Sequence, residues 1–311
     1  MLYQGQLLVQ VSSLVRTTRL YLVDSSIFIF EAWYARGPEL SNRDRQPNNA
    51  FIGFSDFVYR LLTECAPSRL VFAFDESQKQ SERKSVYPQY KANRSPAPLD
   101  LKRQFAWCQQ WIELLGISKV SSSQWEADDL IGSLAALHRS ADQSIAVLTA
   151  DKDLTQLIRE GDLWWSFLDD KKLDYSGITK KYGVRPEQIA EQLALTGDKV
   201  DNIPGIPHVG VKTAANLLRK FGTLEKLRAN LDQVGQMKFR YAGRVQQSLI
   251  EHESILDISS RLTRISCDIE AVQGVEIERK LPDIEKLDVM MQEQAMDDGR
   301  CQKWQSFLDK Q

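Results

Sequence analysis

Three short apolar runs in this chain end in the same way, and that repetition limits the fold more than any other feature. Leu20-Tyr21-Leu22-Val23 is followed by Asp24. Leu70-Val71-Phe72-Ala73-Phe74 is followed by Asp75. Ile145-Ala146-Val147-Leu148 runs into Thr149-Ala150-Asp151-Lys152-Asp153. Each run has the length and the aromatic or β-branched content of a buried strand. Longer helical patterns separate them, at residues 50–65, 100–115 and 126–138. Residues 163–168 read as a further strand, with Trp164 and Trp165 packing on it. Strand alternating with helix predicts an α/β fold with a mainly parallel central sheet and flanking helices. In such sheets, ligands bind beyond the carboxyl ends of the strands. Here every one of those ends carries aspartate. Asp is a common turn residue, so one instance means little, but three of three call for another cause.

Other acids join the set. Glu126, Asp128 and Asp129 open the helix at 126–138, and Ser123 with Glu126 predicts a capping box there. Acids in a first turn also suit the helix dipole. Three within four residues exceed what a cap needs, and they repel one another unless cations sit among them. Asp198 and Asp201 lie three apart in a turn-rich stretch. With Asp24, Asp75, Asp151 and Asp153 this makes nine acids from element ends or tight turns. Oxygen ligands without an accompanying His predict a hard divalent cation, Mg²⁺ or Mn²⁺, and not Zn²⁺. Two such ions, roughly 3.5–4 Å apart, would activate a water and stabilise the leaving oxygen of a phosphodiester.

Between Asp75 and Asp100 lies a segment with Lys79, Arg83, Lys84, Lys91 and Arg94 against Glu76 and Glu82, and with Tyr87 and Tyr90 interleaved. Few of its residues look able to anchor in a core, so it is expected as an exposed excursion above the sheet. Cations with aromatics suit phosphates and stacked bases. After residue 185 the pattern becomes helical, with a helix from Pro186, a turn-rich stretch to Gly210, and a helix at 211–221 closed by Gly222.

Composition narrows the classes. The chain has 311 residues, hydrophobic content of 42% and charged content of 26%, ordinary for a globular protein of one large or two unequal domains. Its net charge of −2 excludes a uniformly basic nucleic-acid coat. Setting the nine carboxylates aside leaves the rest of the chain positive, so near-neutrality is compatible with an acidic pocket beside a basic grip. Cys65, Cys108, Cys267 and Cys301 have no CxxC spacing, which argues against a disulfide scaffold and a zinc finger. Residues 1–19 lack a signal-peptide pattern, and the apolar stretch at 20–35 is interrupted by Asp24 and Glu31. A cytoplasmic, nucleoid-associated protein without a membrane partner is expected.

Six motifs in order resemble those of the 5′-nuclease, or flap endonuclease, family. They are Leu22-Val23-Asp24-Ser25-Ser26, Phe72-Ala73-Phe74-Asp75, Arg83-x3-Tyr87-x2-Tyr90-Lys91-Ala92-Asn93-Arg94, Glu126-Ala127-Asp128-Asp129, Thr149 to Asp153, and Thr196-Gly197-Asp198-Lys199-Val200-Asp201-Asn202-Ile203-Pro204-Gly205. The chain is most similar to the nuclease domain at the amino terminus of bacterial DNA polymerase I and to phage 5′-exonucleases. No polymerase region is expected after residue 262. The resemblance implies a PIN-like 5′-nuclease fold with an extension at 1–18, an α/β domain at 19–185 with a helical arch at about 77–104, a helical DNA-binding region at 186–262 built on a helix–three-turn–helix, and a segment at 263–311 that packs back.

It also implies roles. Asp24, Asp75, Glu126, Asp128 and Asp129 would surround one ion; Asp151, Asp153 and Asp201 the other; Asp198 would support one or both. Tyr90, Lys91 and Arg94 would lie on the arch, with Lys91 stabilising charge on the scissile phosphate and Arg83 and Arg94 holding neighbouring phosphates. Gly205, Ile206, Val209, Gly210, Lys212 and Thr213 would grip duplex phosphates through backbone amides and a helix N-terminus, and hairpin carbonyls would bind K⁺. Gly205 and Gly210 fit close backbone approach. The family's reaction is Mg²⁺-dependent hydrolysis of DNA at 5′ flaps, overhangs or free 5′ ends, including RNA primer–DNA hybrids, by a monomer acting in replication and repair. Ser25, Glu31, Glu82 and His208 depart from the usual residues at their positions, which bears on affinity and threading more than on metal chemistry. A branched-DNA binder without activity and a small α/β ribonuclease are the competing readings.

Overall fold

The computed structural model describes residues 18–35, 40–76 and 81–311. The extension expected at residues 1–18 and the first residues of the expected arch, Lys79 among them, lie almost wholly outside these. Six strands form one sheet: β1 (Thr18–Asp24), β2 (Arg69–Asp75), β3 (Ser118–Ser122), β4 (Gln143–Leu148), β5 (Leu163–Ser166) and β6 (Lys171–Leu173). Their order is β3-β2-β1-β4-β5-β6. All neighbours are parallel except β5 and β6. The chain leaves β1 toward β2 and β3, then returns to the other side of β1 with β4. That reversal is where an open α/β sheet forms its ligand crevice.

Side-chain alternation assigns the two faces. Leu20 and Leu22 of β1, Val71 and Ala73 of β2 and Val147 of β4 lie in one core with helix Ala127–His138 and the helical region beyond residue 185. Val23, Phe72, Phe74 and Leu148 lie in the other, with helices Ser25–Ala35, Asn49–Glu64 and Leu99–Leu114. Trp164 and Trp165 part company in this way, one to each core. Helices Ile284–Glu293 and Asp298–Leu308 also pack on the second face, where Trp304 meets Trp111 edge to face at 5.0 Å. Both indoles are fully buried, and side chains of that size contribute about 3 kcal/mol each by burial. Among the described residues no helix is long and apolar enough to cross a membrane.

Two local expectations are corrected. The helix N-cap is Glu126, not Ser123: the Glu126 amide donates to Asp129 Oδ2 at 3.2 Å, while Ser122 Oγ accepts from the Gln124 and Trp125 amides. The segment after Asp75 is not a free excursion. Tyr90 is 2% exposed, within a small cluster with Ile203 and Leu262.

Candidate active site

Register brings the acids to one edge. Asp24 pairs with Ala73, so Asp75 projects two residues further along β2. Val23 pairs with Leu148, so the Thr149–Asp153 loop leaves β4 beside Asp24. Short polar side chains and backbone amides hold three of these carboxylates. Thr149 Oγ1 donates to Asp24 Oδ2 at 2.9 Å and accepts from the Asp151 amide at 2.9 Å. Ser26 Oγ and the Ala127 amide donate to the two oxygens of Asp75, at 3.0 and 2.9 Å. The Asp153 amide donates to Asp151 Oδ1 at 2.8 Å, and the Trp164 indole to the Asp151 carbonyl at 2.8 Å. Sequence reasoning gave Ser26, Thr149 and Trp164 no such part. For Ser26 and Thr149 the only signal was a small hydroxyl inside the acidic motif, and Trp164 offered none.

The acids feel one another. Burial, then the neighbouring Asp75 carboxylate, pushes Asp24 up to about 8, against the Thr149 hydrogen bond. Burial, then Asp151, pushes Asp153 up to about 7. Asp128 is raised by burial, then by Asp151 and Asp24. Glu126 Oε1 and Asp153 Oδ1 are buried without a hydrogen-bond partner. A buried set of oxygen donors, in part unneutralised, fits a hard divalent cation. Among the described residues, no three such side chains stand at ligating separation.

Cations from outside the sheet hold several of them instead. Lys91 Nζ donates to Glu126 Oε2 at 2.9 Å and lies 3.7 Å from Asp201 Oδ2. Arg94 Nη2 meets Asp201 Oδ1 at 2.5 Å, and Lys152 Nζ meets Asp198 Oδ2 at 2.5 Å. Tyr90 Oη donates to Glu126 Oε2 at 3.1 Å. Burial works against the charge on Lys91, but Glu126, Tyr90 and Asp201 outweigh it and hold its pKa above the ordinary value. Burial would raise Glu126, yet Lys91 and Arg83 bring it below the ordinary carboxylate value. The segment carrying Lys91 and Arg94 is docked on the hairpin: the Lys91 amide donates to the Asp201 carbonyl at 2.9 Å, and Asn202 Nδ2 to the Gln89 carbonyl at 2.8 Å. Lys91 takes φ of +53°, a left-handed conformation that a lysine keeps only under such restraint.

Asp129 departs from the expected metal set. Its Oδ1 accepts from Arg83 Nη2 at 2.6 Å and the Ser266 amide at 3.0 Å; its Oδ2 accepts from Arg83 Nη1 at 2.6 Å and the Glu126 amide. No lone pair is left for an ion. Arg83 is corrected with it. Its guanidinium is committed to Asp129 and to the Leu262 and Arg264 carbonyls, both at 3.1 Å, so it holds protein and not phosphate. Burial opposes its charge, but the Asp129 hydrogen bonds and Glu126 prevail and raise its pKa.

At the hairpin, the expected amide grip is also redistributed. The side chains of Ile206 and Val209 are buried, and their amides donate to the Leu195 and Ile206 carbonyls. Gly205 makes its close approach to the chain itself: a Cβ there would come within 2.3 Å of the Thr196 carbonyl. Gly210, in contrast, has nothing within 4 Å. It caps helix Val211–Phe221, whose first amides at Val211, Lys212 and Thr213 lack intrahelical acceptors by geometry. His208 adopts φ of +67°, the conformation a glycine would take without strain.

A profile for the 5′-3′ exonuclease N-terminal resolvase-like domain matches residues 19–183, and one for the 5′-3′ exonuclease C-terminal SAM fold matches residues 184–285. This chain belongs to the 5′-3′ exonuclease family. A 5′-3′ exonuclease of Aquifex aeolicus is 34% identical over 89% of this chain and 92% of its own length. DNA polymerase I of Pseudomonas aeruginosa is 36% identical over 85% of this chain, which spans only 28% of that larger protein. The T5 D15 protein co-crystallised with metal ions superposes with a TM-score of 0.63 at 19% identity, covering 89% of this chain and 97% of that one. The catalytic core of Rad2 in complex with DNA substrate gives 0.59 at 18% identity, covering 90% and 88%. Those two likenesses are of fold: the PIN-like α/β nuclease domain followed by a helical region. As a member of this family, the chain is a nuclease of the hydrolase class.

Proposed function

We propose that this nuclease cuts DNA at 5′ flaps, overhangs and free 5′ ends, and at RNA primer–DNA hybrids, acting as a monomer in replication and repair in the cytoplasm. The observation that carries this reading is the convergence of eight carboxylates at one sheet edge beneath a docked segment that presents Lys91 and Arg94. Asp24, Asp75, Glu126 and Asp128 would hold one divalent cation, and Asp151, Asp153 and Asp201 a second, with Asp198 beside them. Mg²⁺ is the expected species, with Mn²⁺ able to replace it. When bound, such ions supply an activated water and Lewis-acid stabilisation of the leaving oxygen.

The chain's own residues do the rest. Glu126 and Asp201 would be among the groups holding the cations, and Lys91 and Arg94, which pair with them here, would then be available to phosphate. Lys91 then neutralises charge developing on the scissile phosphate, and Arg94 clamps a neighbouring one by its planar fork. Tyr90 keeps Glu126 oriented through its buried hydroxyl. Some 200 positions from β1 in sequence, the open N-terminus of helix Val211–Phe221, with Gly210, Lys212 and Thr213, holds duplex phosphates. Carbonyls of the hairpin would take K⁺.

A labelled 5′-flap duplex incubated with Mg²⁺ or with EDTA tests this. Cleavage that needs the cation and leaves a 5′-phosphate and a 3′-hydroxyl is expected. Binding of the flap duplex with no cation-dependent cleavage would overturn the catalytic reading.

A further inference from the structure

At the amino edge of the sheet, opposite the acids, lies a groove of about 690 Å³. One wall is the end of helix Asn49–Glu64 and the turn after it; another is the stretch at 279–282; the third is the end of helix Asp298–Leu308. The walls are tied together by backbone. The Arg279 amide donates to the Ser68 carbonyl at 3.1 Å, the Leu70 amide to the Ile277 carbonyl at 2.8 Å, and the Asp283 amide to the Leu114 carbonyl at 2.8 Å.

Its chemistry is lopsided. Tyr59, Leu62, Leu281 and Phe307 supply apolar surface, and Leu281 is 81% exposed. Arg279, Lys280 and Lys310 supply positive charge, and among the described residues no Asp or Glu side chain lines the groove. The acids on the same stretch are engaged, Glu276 by Lys280 at 2.6 Å and Glu278 by Arg69 at 3.1 Å. Arg279 is the unusual member. Its Nε is buried with no hydrogen-bond partner, its side chain donates from Nη2 to Gln311 Oε1 at 3.1 Å, and its guanidinium lies over the Phe307 ring at 6.0 Å. Burial without a counter-ion pushes its pKa down. A desolvated guanidinium with a spare donor is completed by a carboxylate.

We infer that this groove docks an extended peptide of a partner protein, one with carboxylates beside a bulky apolar side chain. The carboxylates would meet Arg279 and Lys310, and the apolar side chain would cover Leu281 and the Phe307 edge. A nucleic-acid strand fits less well, since tracking a phosphate backbone takes a row of cations; of the three here Lys280 is already paired with Glu276, which leaves two between apolar walls.

The test is fluorescence anisotropy with a labelled Asp-rich peptide bearing one Phe. Saturable binding is expected. Replacing its Asp residues by Asn, or its Phe by Ala, should weaken it about tenfold or more. Lys310→Glu, Leu281→Ser and Arg279→Ala should each do the same while leaving flap cleavage unchanged. Lys310 and Leu281 are exposed, so those two variants decide the matter even if Arg279→Ala unfolds. No saturable binding of the Asp peptide, equal binding of the Asp and Asn peptides, or indifference to Lys310→Glu and Leu281→Ser would overturn the inference. So would tighter binding of an oligo-dT strand that the same variants abolish, since it would assign the groove to nucleic acid.

Discussion

The two ends of one sheet carry opposite electrostatic problems. The carboxyl edge gathers acids that are buried beside one another, and part of their charge is met by Lys91, Arg94 and Lys152. The amino edge holds a half-buried guanidinium whose buried Nε has no hydrogen-bond partner, with no acid against it among the described residues. A parallel sheet makes this contrast possible, because every strand contributes its turn residues of one kind to one edge. The difference teaches that charge left uncompensated by the fold marks where something else is bound. It also separates two kinds of cation at the acid edge. Arg83 is riveted to Asp129 and to the Leu262 and Arg264 carbonyls, whereas Lys91 and Arg94 pair only with Glu126 and Asp201 among the described residues.

The hardest test of the contrast is removal of an acid. Asp128→Ala should cut flap cleavage by about 10³-fold or more, with duplex binding largely retained in a gel-shift assay. If cleavage persists, the acid edge is not the reacting site. Next comes the rivet. Arg83→Ala leaves a fully buried carboxylate unpaired, so it should destabilise the fold by about 3–5 kcal/mol in urea melts. With Mg²⁺ present, so that Glu126 keeps a cation beside it, Lys91→Ala should behave in the reverse way, with cleavage down by about 10²-fold and the melting midpoint little moved. Equal stability losses in the two variants would erase the distinction drawn between them.

Divalent cation should raise the thermal midpoint of EDTA-stripped protein. Asp24 and Asp153 are pushed up to about 8 and about 7, so protons compete for the same oxygens below those values. The rise should therefore be small at pH 6 and grow toward pH 9; a rise independent of pH would remove these carboxylates from the ligand set. In the absence of cation the sign is opposite. A carboxylate whose folded pKa is raised stabilises the protein below its unfolded value, and that stability is lost as pH climbs through the folded value. The smallest effect belongs to the hairpin. His208→Gly relieves a left-handed histidine, which costs about 1 kcal/mol, and should raise the melting midpoint by a few degrees.

Much of the acid edge was legible from sequence because it follows from periodicity. A run of strand length followed by Asp puts that Asp at an edge, and three runs put three there. Glu126 and Asp128 could be added from the helix they open. Asp129 could not be told from Asp128, since neighbours on a helix differ only by about 100° of rotation, and whether that turn meets an arginine depends on residue 83. The strand β3 was missed because Ser-Lys-Val-Ser-Ser is polar, with only Val120 buried; it is an edge strand paired on one side with β2. Ile206 and Val209 were read as offering amides to DNA. Which amides a turn keeps for itself depends on a contact with Leu195, eleven residues from Ile206, that no local pattern displays.

Gly197 and Gly205 meet backbone to backbone: a Cβ at Gly197 would lie 2.6 Å from the Gly205 nitrogen. The closest contact of the hairpin with the preceding helix is thus set by main chain. Residues facing outward from that joint can be exchanged without shifting it. A lineage could rewrite what the hairpin touches, as His208 and Val200 suggest by their exposed positions, while Asp198 and Asp201 stay in place. The two glycines would be the part of this region least free to drift.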